Sequence, residues 1–250
     1  MSPESVQTPE PSPAGMGEFA RITGVFFEPA KAFQDIAERP RWIVPALLVV
    51  VVSLVYMGLY SQHVGWERMF RHQMELNSRA AQMTPEQREN AIATQAKIGP
   101  ILAYVGAVVG PLIYYTVCAA VLLAIVAGMM SASVKFKQLF AVMAYSGLVG
   151  IVSAALGIAV MFLKNPDDFN LQNPLVFNPG AFMDPTTSSK FLYSLASSLD
   201  LFVFWTILLI AIGIKAAAGK KFSFGSALTA VVVPWAIFVL GKSALAGMFG

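Results

Sequence analysis

Charged residues are scarce in this sequence. They make up 12% of its 250 residues, about half the share typical of soluble domains, whereas hydrophobic residues make up 56%. The formal net charge is only +3, and the basic residues cluster at the ends of apolar runs instead of forming one face. This distribution excludes a nucleic-acid-binding surface and favours a protein that lies in a membrane.

Residues that carry out chemistry are also few. The single cysteine, Cys118, lies in an apolar run and excludes an intramolecular disulfide. The only histidines, His63 and His72, lie near Glu67 and Glu75 at spacings that match no metal-ligand motif, so a solvated face is expected there. The sequence has no H-E-x-x-H, no G-x-S-x-G, no phosphate-binding glycine loop and no paired intramembrane carboxylates. We therefore predict a protein that is not an enzyme and has no metal or cofactor.

Long apolar runs are present instead, and several could cross a bilayer as a helix of about 20 residues. They predict an all-α fold, a polytopic membrane bundle of five transmembrane helices with an N-terminal amphipathic interfacial helix. The membrane domain is expected over residues 41–250. Its spans are predicted at about 42–61, 99–130, 139–163, 193–214 and 226–249.

The first 40 residues divide into two parts. Residues 1–17 contain four prolines and no basic residue, which indicates a disordered tail. Residues 18–40 have apolar side chains at helical spacing, and Pro29 should divide the helix into two. We expect the apolar face to rest at the membrane interface, or alternatively on the protein's own cytoplasmic loops. The membrane-facing residues would be Phe19, Ile22, Phe26, Phe33 and Trp42.

A polar segment at 62–98 follows the first span and predicts a helical hairpin outside the bilayer, with helices at 66–82 and 85–98. Thr84, Pro85 and Gln87 stand at the N-cap, N1 and N3 positions of the second helix, which is the pattern of a capping box.

One carboxylate, Asp200, interrupts the apolar stretch Leu199–Lys215. A charge in hydrocarbon is unfavourable by about 2.5–3.5 kcal/mol and should have a partner or a wet environment. In an antiparallel hairpin of the last two spans, Lys242 reaches a similar depth, so the two residues could form an ion pair directly or through one water. Alternatively, Asp200 caps a helix that starts at Ser198 while Lys242 extends to the surface. A coupling-ion or proton site at Asp200 is the third possibility.

Small residues within the spans are candidates for close helix packing. Gly106 and Gly110 form a G-x-x-x-G pair in the second span, although glycine is also common in membrane helices generally. The third span carries a stripe of small residues, namely Ser146, Gly150, Ala154 and Gly157.

Basic residues also bear on orientation. Three short segments that would share one side carry lysine or arginine, and the two short loops among them contain no acid. By the positive-inside rule we expect the N-terminus in the cytoplasm and the C-terminus on the opposite side.

The order of several segments resembles the Yip-domain (Ypt-interacting) family of membrane proteins, in its prokaryotic-style branch. The segments are F-F-E-P-A-K-A-F-Q-D-I-A-E-R-P-R-W, K-F-K-Q-L-F-A-V-M-A-Y, the stretch Leu199–Lys215 and F-S-F-G-S-A-L-T-A-V-V-V-P-W. The resemblance implies five spans, a cytoplasmic N-terminus and no enzyme activity. Eukaryotic members are implied to contact Rab-type GTPases, but their Asp-Leu-x-Gly-Pro element has no equivalent here, so small-GTPase binding is not carried over.

Two functions follow as expectations. The first is a non-enzymatic membrane organiser, with a trafficking-like role, whose expected partners are the lipid bilayer and either other membrane proteins or further copies of the chain. The second is a small transporter or channel subunit with a polar site at Asp200. A transporter should have a hydrated cavity that reaches Asp200, whereas an organiser should have a dry, packed bundle.

Overall fold

A computed structural model describes residues 15–76, 80, 82–171 and 173–249. Most of the predicted tail, residues 1–14, lies outside them, as do residues 77–79 and 81 of the predicted hairpin. The described residues form helices and connecting loops, without strands. The helices are α1 (Glu18–Phe27), α2 (Pro29–Glu38), α3 (Ile43–His63), α4 (Trp66–Leu76), α5 (Pro85–Leu123), α6 (Phe136–Ser146), α7 (Val149–Leu163), α8 (Lys190–Ser198), α9 (Leu201–Ala218) and α10 (Phe224–Phe249).

Five helical segments in the described part of the chain are long and apolar enough to cross a membrane, which confirms the predicted fold class. They are Ile43–His63, Pro85–Met129, Phe136–Leu163, Leu201–Ala218 and Phe224–Met248. Large apolar side chains such as Val51, Ile101 and Ile237 are exposed on their outer surfaces. A soluble protein does not expose apolar surface on this scale, so these surfaces face lipid.

The second span belongs to a helix much longer than the membrane is thick. With the π-helix Ala124–Met129 that continues it, α5 extends over 45 residues, or about 68 Å, against a hydrocarbon core of about 30 Å. Its start at Pro85 is fixed by the predicted capping box, because the Thr84 side chain accepts from Gln87 N–H and the Gln87 side chain accepts from Thr84 N–H. The first part of α5 pairs with α4 through Arg71, whose Nη1 lies 2.7 Å from Glu89 Oε1.

The fourth span differs from its predicted position. The expected segment 193–214 is divided at residues 199–200, so that α8 ends at Ser198 and packs on α10 while α9 begins at Leu201. The helix ends because Asp200 is extended, with φ −93° and ψ 142°, and its carboxylate accepts from the Phe202 N–H. Competition of an Asp side chain with the helical backbone favours such a break.

Helices α1 and α2 form a compact unit, which we call the N-terminal hairpin (residues 18–38). Its division at Glu28, directly before Pro29, agrees with the sequence pattern. The hairpin packs along α6 and α9: Gln138 Nε2 donates to the Ala37 carbonyl at 2.9 Å, and the rings of Phe26 and Trp205 lie 5.8 Å apart.

We expected the apolar face of the hairpin to lie on lipid, but most of it is buried against the protein. Phe33 has no exposed surface, and it packs beside Gly213 of α9. Phe26 and Trp42 are half-buried against rings of the bundle, and Ile22 also packs on the core. Phe19 alone of the five predicted interface residues has a largely exposed ring, at 80%. The alternative prediction, that this face packs on the protein itself, agrees better with the structure. The hairpin packs on span helices, however, and not on the predicted cytoplasmic loops.

The bundle has two ends, which we name by their residues. The basic end carries residues 39–42, 131–137 and 215–223, where the connecting segments contain lysine and arginine. The far end carries residues 62–76, 82–98, 164–171 and 173–200, including α4 and α8.

Candidate functional site

Asp200 and Lys242 lie at the far end, each with a partner of its own. Asp200 Oδ1 accepts from the Phe202 N–H at 2.8 Å and caps α9. Lys242 Nζ donates to Ser198 Oγ at 2.7 Å, two residues before Asp200. Among the described residues no ion pair joins Asp200 to Lys242. The structure therefore brings Lys242 to the neighbourhood of Asp200 but places the carboxylate at the start of a helix.

The same region contains a second polar contact. Ser243 Oγ donates to Ser194 Oγ at 3.3 Å, and Ser198 Oγ donates to the Ser194 carbonyl at 2.7 Å. These hydroxyls lie between α8 and α10, where buried polar groups need partners in a medium without water. Together with Lys242 they attach α8 to α10, which is a structural role.

The predicted small-residue contacts are only partly present within this chain. A Cβ built on Gly106, Gly110 or Gly150 would meet no atom within 4 Å, so these positions face open space in the single chain. A Cβ on Gly157 would lie 3.1 Å from Tyr56 Cε2, which marks a close approach of α7 to α3. Packing by Gly106, Gly110 and Gly150 against another chain stays a prediction.

The remaining members of that stripe are inside the bundle. Ser146 is completely buried, and its Oγ has no hydrogen-bond partner among the described residues. Ala154 is half-buried beside the aromatic cluster of Tyr56 and Tyr60. Gly213, which the sequence pattern did not single out, makes a closer contact, because a Cβ there would lie 2.5 Å from Val142 Cγ1.

The most extensive buried polar group lies elsewhere, between the N-terminal hairpin and α6. Asp35 of α2 accepts from three donors: Arg21 Nε at 2.6 Å, Arg39 Nη2 at 2.7 Å and the Met16 N–H at 3.1 Å. Arg21 is 1% exposed and Asp35 is 8% exposed. A buried arginine of this kind requires a carboxylate partner, since an unpaired buried charge is strongly unfavourable.

A second carboxylate extends this group to the membrane domain. Glu18 Oε2 accepts from the Tyr145 hydroxyl of α6 at 2.6 Å, and Glu18 Oε1 lies 3.4 Å from Arg21 Nη1. We call these residues the polar network: Glu18, Arg21, Asp35, Arg39 and Tyr145. It connects α1, α2 and α6 and thereby holds the hairpin in its place on the bundle.

The network keeps its two central groups charged. Burial tends to raise the pKa of Asp35, but the Met16 N–H and the guanidinium groups of Arg21 and Arg39 outweigh it and hold this pKa below its usual value. Burial tends to lower the pKa of Arg21, but hydrogen bonds to Tyr145 and Asp35 outweigh it and raise this pKa. An ion pair at neutral pH is the consequence.

Sequence reasoning treated these charged residues as the polar face of an amphipathic helix and missed the network. A partial signal was available, because Asp35 and Arg39 stand four residues apart on one helix. The pairing of Arg21 with Asp35 has no such signal, since the two residues lie 14 positions apart across the turn at Glu28.

The larger of two described cavities lies at the far end, between α4 and the loop after α7. It has a volume of about 280 Å³ and is lined by residues that include Tyr60, Arg68, His72, Asp167 and Tyr193. Its charges are paired across it, with Arg68 Nε 3.2 Å from Asp167 Oδ1. No group of three or more His, Cys, Asp or Glu that could hold a metal occurs among the described residues.

Comparison with known proteins gives one match. The family described as the Yip1 domain matches residues 23–245, which include the second half of α1, α2, four complete spans and most of the fifth. No curated protein and no solved structure matches the chain. A family match over this much of the sequence shows that the chain belongs to the Yip1 domain family of membrane proteins.

Proposed function

We propose that this chain is a non-enzymatic membrane organiser with a trafficking-like role, which acts by contacts with lipid and with other membrane proteins. The observation that carries the proposal is the central helix α6. All of its residues from Leu139 to Ser146 are buried, and most are apolar. A helix that is apolar on most of its sides belongs in a packed core, which supports a bundle with a dry centre.

The positions of the cavities support the same proposal. Both described cavities lie at the far end, and neither is lined by Asp200 or Lys242. Asp200 caps α9, and Lys242 joins α10 to α8 through Ser198. A transport site needs a wet cavity around a carboxylate that is free to bind an ion.

The alternative is a small transporter or channel subunit with its polar site at Asp200. It is favoured by the position of Lys242, which bonds Ser198, two residues before Asp200. A movement of α8 could bring the lysine to the Asp200 carboxylate. Such a protein would carry protons or cations past Asp200.

Flux in proteoliposomes separates the two functions. We expect purified protein and its Asp200→Asn variant to leave proton and potassium flux at the level of protein-free liposomes, because Asp200 caps α9 and lines neither described cavity. Flux is measured with an internal pH dye and a potassium electrode. Flux above background that falls in Asp200→Asn would reject the organiser in favour of the transporter. Co-purification from native membrane in mild detergent would then identify protein partners of the organiser.

We also propose that the basic end lies in the cytoplasm, with the N-terminus on the same side and the C-terminus opposite. The test uses two matched cysteines in a Cys118→Ala background, Ser133→Cys at the basic end and Ser189→Cys at the far end, both at exposed serines. An impermeant maleimide should label Ser189→Cys in intact cells, but Ser133→Cys only after permeabilisation. The reverse pattern would invert the topology.

A further inference from the structure

Two basic segments from distant parts of the sequence meet at the basic end. The turn between α2 and α3 carries Arg39 and Arg41, and the start of α6 carries Lys135 and Lys137. Two contacts hold these segments side by side. Gln138 Nε2 donates to the Ala37 carbonyl at 2.9 Å, and the rings of Trp42 and Phe140 meet edge to face at 5.0 Å.

Two of these four cations form no ion pair within the described residues, and a third, Arg41, forms only a long and exposed one. The Arg41 side chain is 73% exposed, and its ion-pair partner within the described residues, Glu18, lies 3.9 Å away. Lys135 and Lys137 are exposed and form no ion pair with any described residue. Arg39, by contrast, is held by the polar network at 2.7 Å. The segment pair therefore presents excess positive charge.

The apolar neighbours of these cations locate them relative to the membrane. Phe136 lies between the two lysines and is exposed, and Ile43, two residues after Arg41, is also exposed. Exposed apolar side chains at a span end face hydrocarbon, whereas basic side chains beside them reach the adjoining polar layer. The cations therefore lie at the depth of lipid phosphates, where a soluble acidic protein has less access.

The chemistry of the patch suits a phosphate diester. A guanidinium and two ammonium groups can donate charge-assisted hydrogen bonds to phosphate oxygens. The positive end of the α6 helix dipole adds to the same field, because Lys135 and Lys137 flank the first residue of that helix.

We propose that Arg41, Lys135 and Lys137 form a binding site for the headgroup of an anionic phospholipid. The biological role of this site rests on the proposed function. An organiser that acts through lipid contacts is expected to bind one class of lipid in preference to others. Each basic residue near the surface should contribute about a fivefold preference for the anionic lipid.

Native mass spectrometry of the full chain tests the site. The protein is purified in detergent with equal amounts of phosphatidylglycerol and phosphatidylcholine. The ratio of bound phosphatidylglycerol to bound phosphatidylcholine is then measured from the masses of the complexes. We expect the wild type to retain phosphatidylglycerol at least fivefold over phosphatidylcholine. Lys135→Gln/Lys137→Gln should lower this ratio at least fivefold. Lys135→Arg/Lys137→Arg should leave the ratio unchanged, which would show that the protein still folds when these two positions are altered.

The matched control removes two exposed lysines from the far end, Lys97→Gln/Lys164→Gln. Its lipid ratio should equal that of the wild type. An equal loss of the ratio in both glutamine variants would show that diffuse surface charge, and not a local site, attracts the lipid. Displacement of the lipid by millimolar glycerophosphate would point to a soluble anion instead. A protein that co-purifies with wild type and is lost in Lys135→Gln/Lys137→Gln, at an unchanged lipid ratio, would make the partner an acidic protein.

The lipid experiment and the flux experiment fail in different ways. A wild-type lipid ratio near one overturns the headgroup site and leaves the absence of flux untouched. Flux that depends on Asp200 overturns the proposed organiser function but does not affect the conclusion drawn from the lipid ratio.

Discussion

Truncation of Arg21 to alanine is expected to lower the free energy of unfolding by about 3–5 kcal/mol. The reason is that Asp35 would keep its charge in a buried position after losing the Nε–H donor at 2.6 Å, and Glu18 would lose a cation at 3.4 Å. Denaturant unfolding in detergent micelles, followed by circular dichroism, measures the loss. Hydrogen exchange should show that residues 18–38 open first, because the polar network attaches this hairpin to α6.

Two further variants distinguish the buried network from charge in general. Lys31→Gln removes an exposed ion pair, 3.1 Å from Glu28, and should change stability by less than about 1 kcal/mol. Arg21→Met/Asp35→Leu removes both central charges and should be less harmful than Arg21→Ala, because no charge then remains at the two most buried positions, whereas Arg39 and Glu18 reach solvent. A loss for Arg21→Ala no larger than that for Lys31→Gln would show that the network does not hold the hairpin.

The same network gives this prediction a pH dependence. The pKa of Asp35 is lower in the folded chain than its usual value of 3.8, so folding favours the ionised carboxylate. Its stabilisation is complete above about pH 4 and is lost as the pH falls through the lower pKa of the folded state. The stability difference between wild type and Asp35→Asn should therefore be largest near neutral pH and should shrink on strong acidification.

Gly213→Ala is expected to destabilise the bundle by about 1–3 kcal/mol, although alanine is the better helix former. The added Cβ would lie 2.5 Å from Val142 Cγ1 and 3.0 Å from Phe33 Cδ1, so α9 must move away from α6 or from the N-terminal hairpin. Unfolding in the same micelles measures the change. Gly213→Ala/Val142→Ala should recover most of it, because the second substitution makes room for the methyl group.

The matched control is Gly106→Ala, where nothing lies within 4 Å of the new methyl group. In the isolated chain it should be neutral or stabilising by about 0.5–1 kcal/mol, the usual advantage of alanine over glycine within a helix. Equal losses at Gly213 and Gly106 would show that the close contact of α9 with α6 does not control stability.

Several features could be predicted from residues near one another in the sequence. Apolar runs predict that there are five spans, because only a helix satisfies its own backbone hydrogen bonds in lipid. Pro29 divides the N-terminal segment, and Thr84 with Gln87 caps α5, through contacts within three residues. The alternative in which Asp200 caps a helix is confirmed, but that helix starts at Leu201 and not at Ser198, where α8 instead ends.

The sequence by itself determined that this is a five-span helical membrane protein with basic connecting segments at one end. The tertiary structure alone decided which apolar faces meet protein: Phe33 enters the bundle, Gly213 contacts Val142, and Gly106 is left open. It also decided that Arg21 pairs with Asp35, across the turn of the hairpin. The physical reason is that lipid tails are as apolar as a protein interior, so hydropathy separates membrane from water but does not separate lipid from a neighbouring helix.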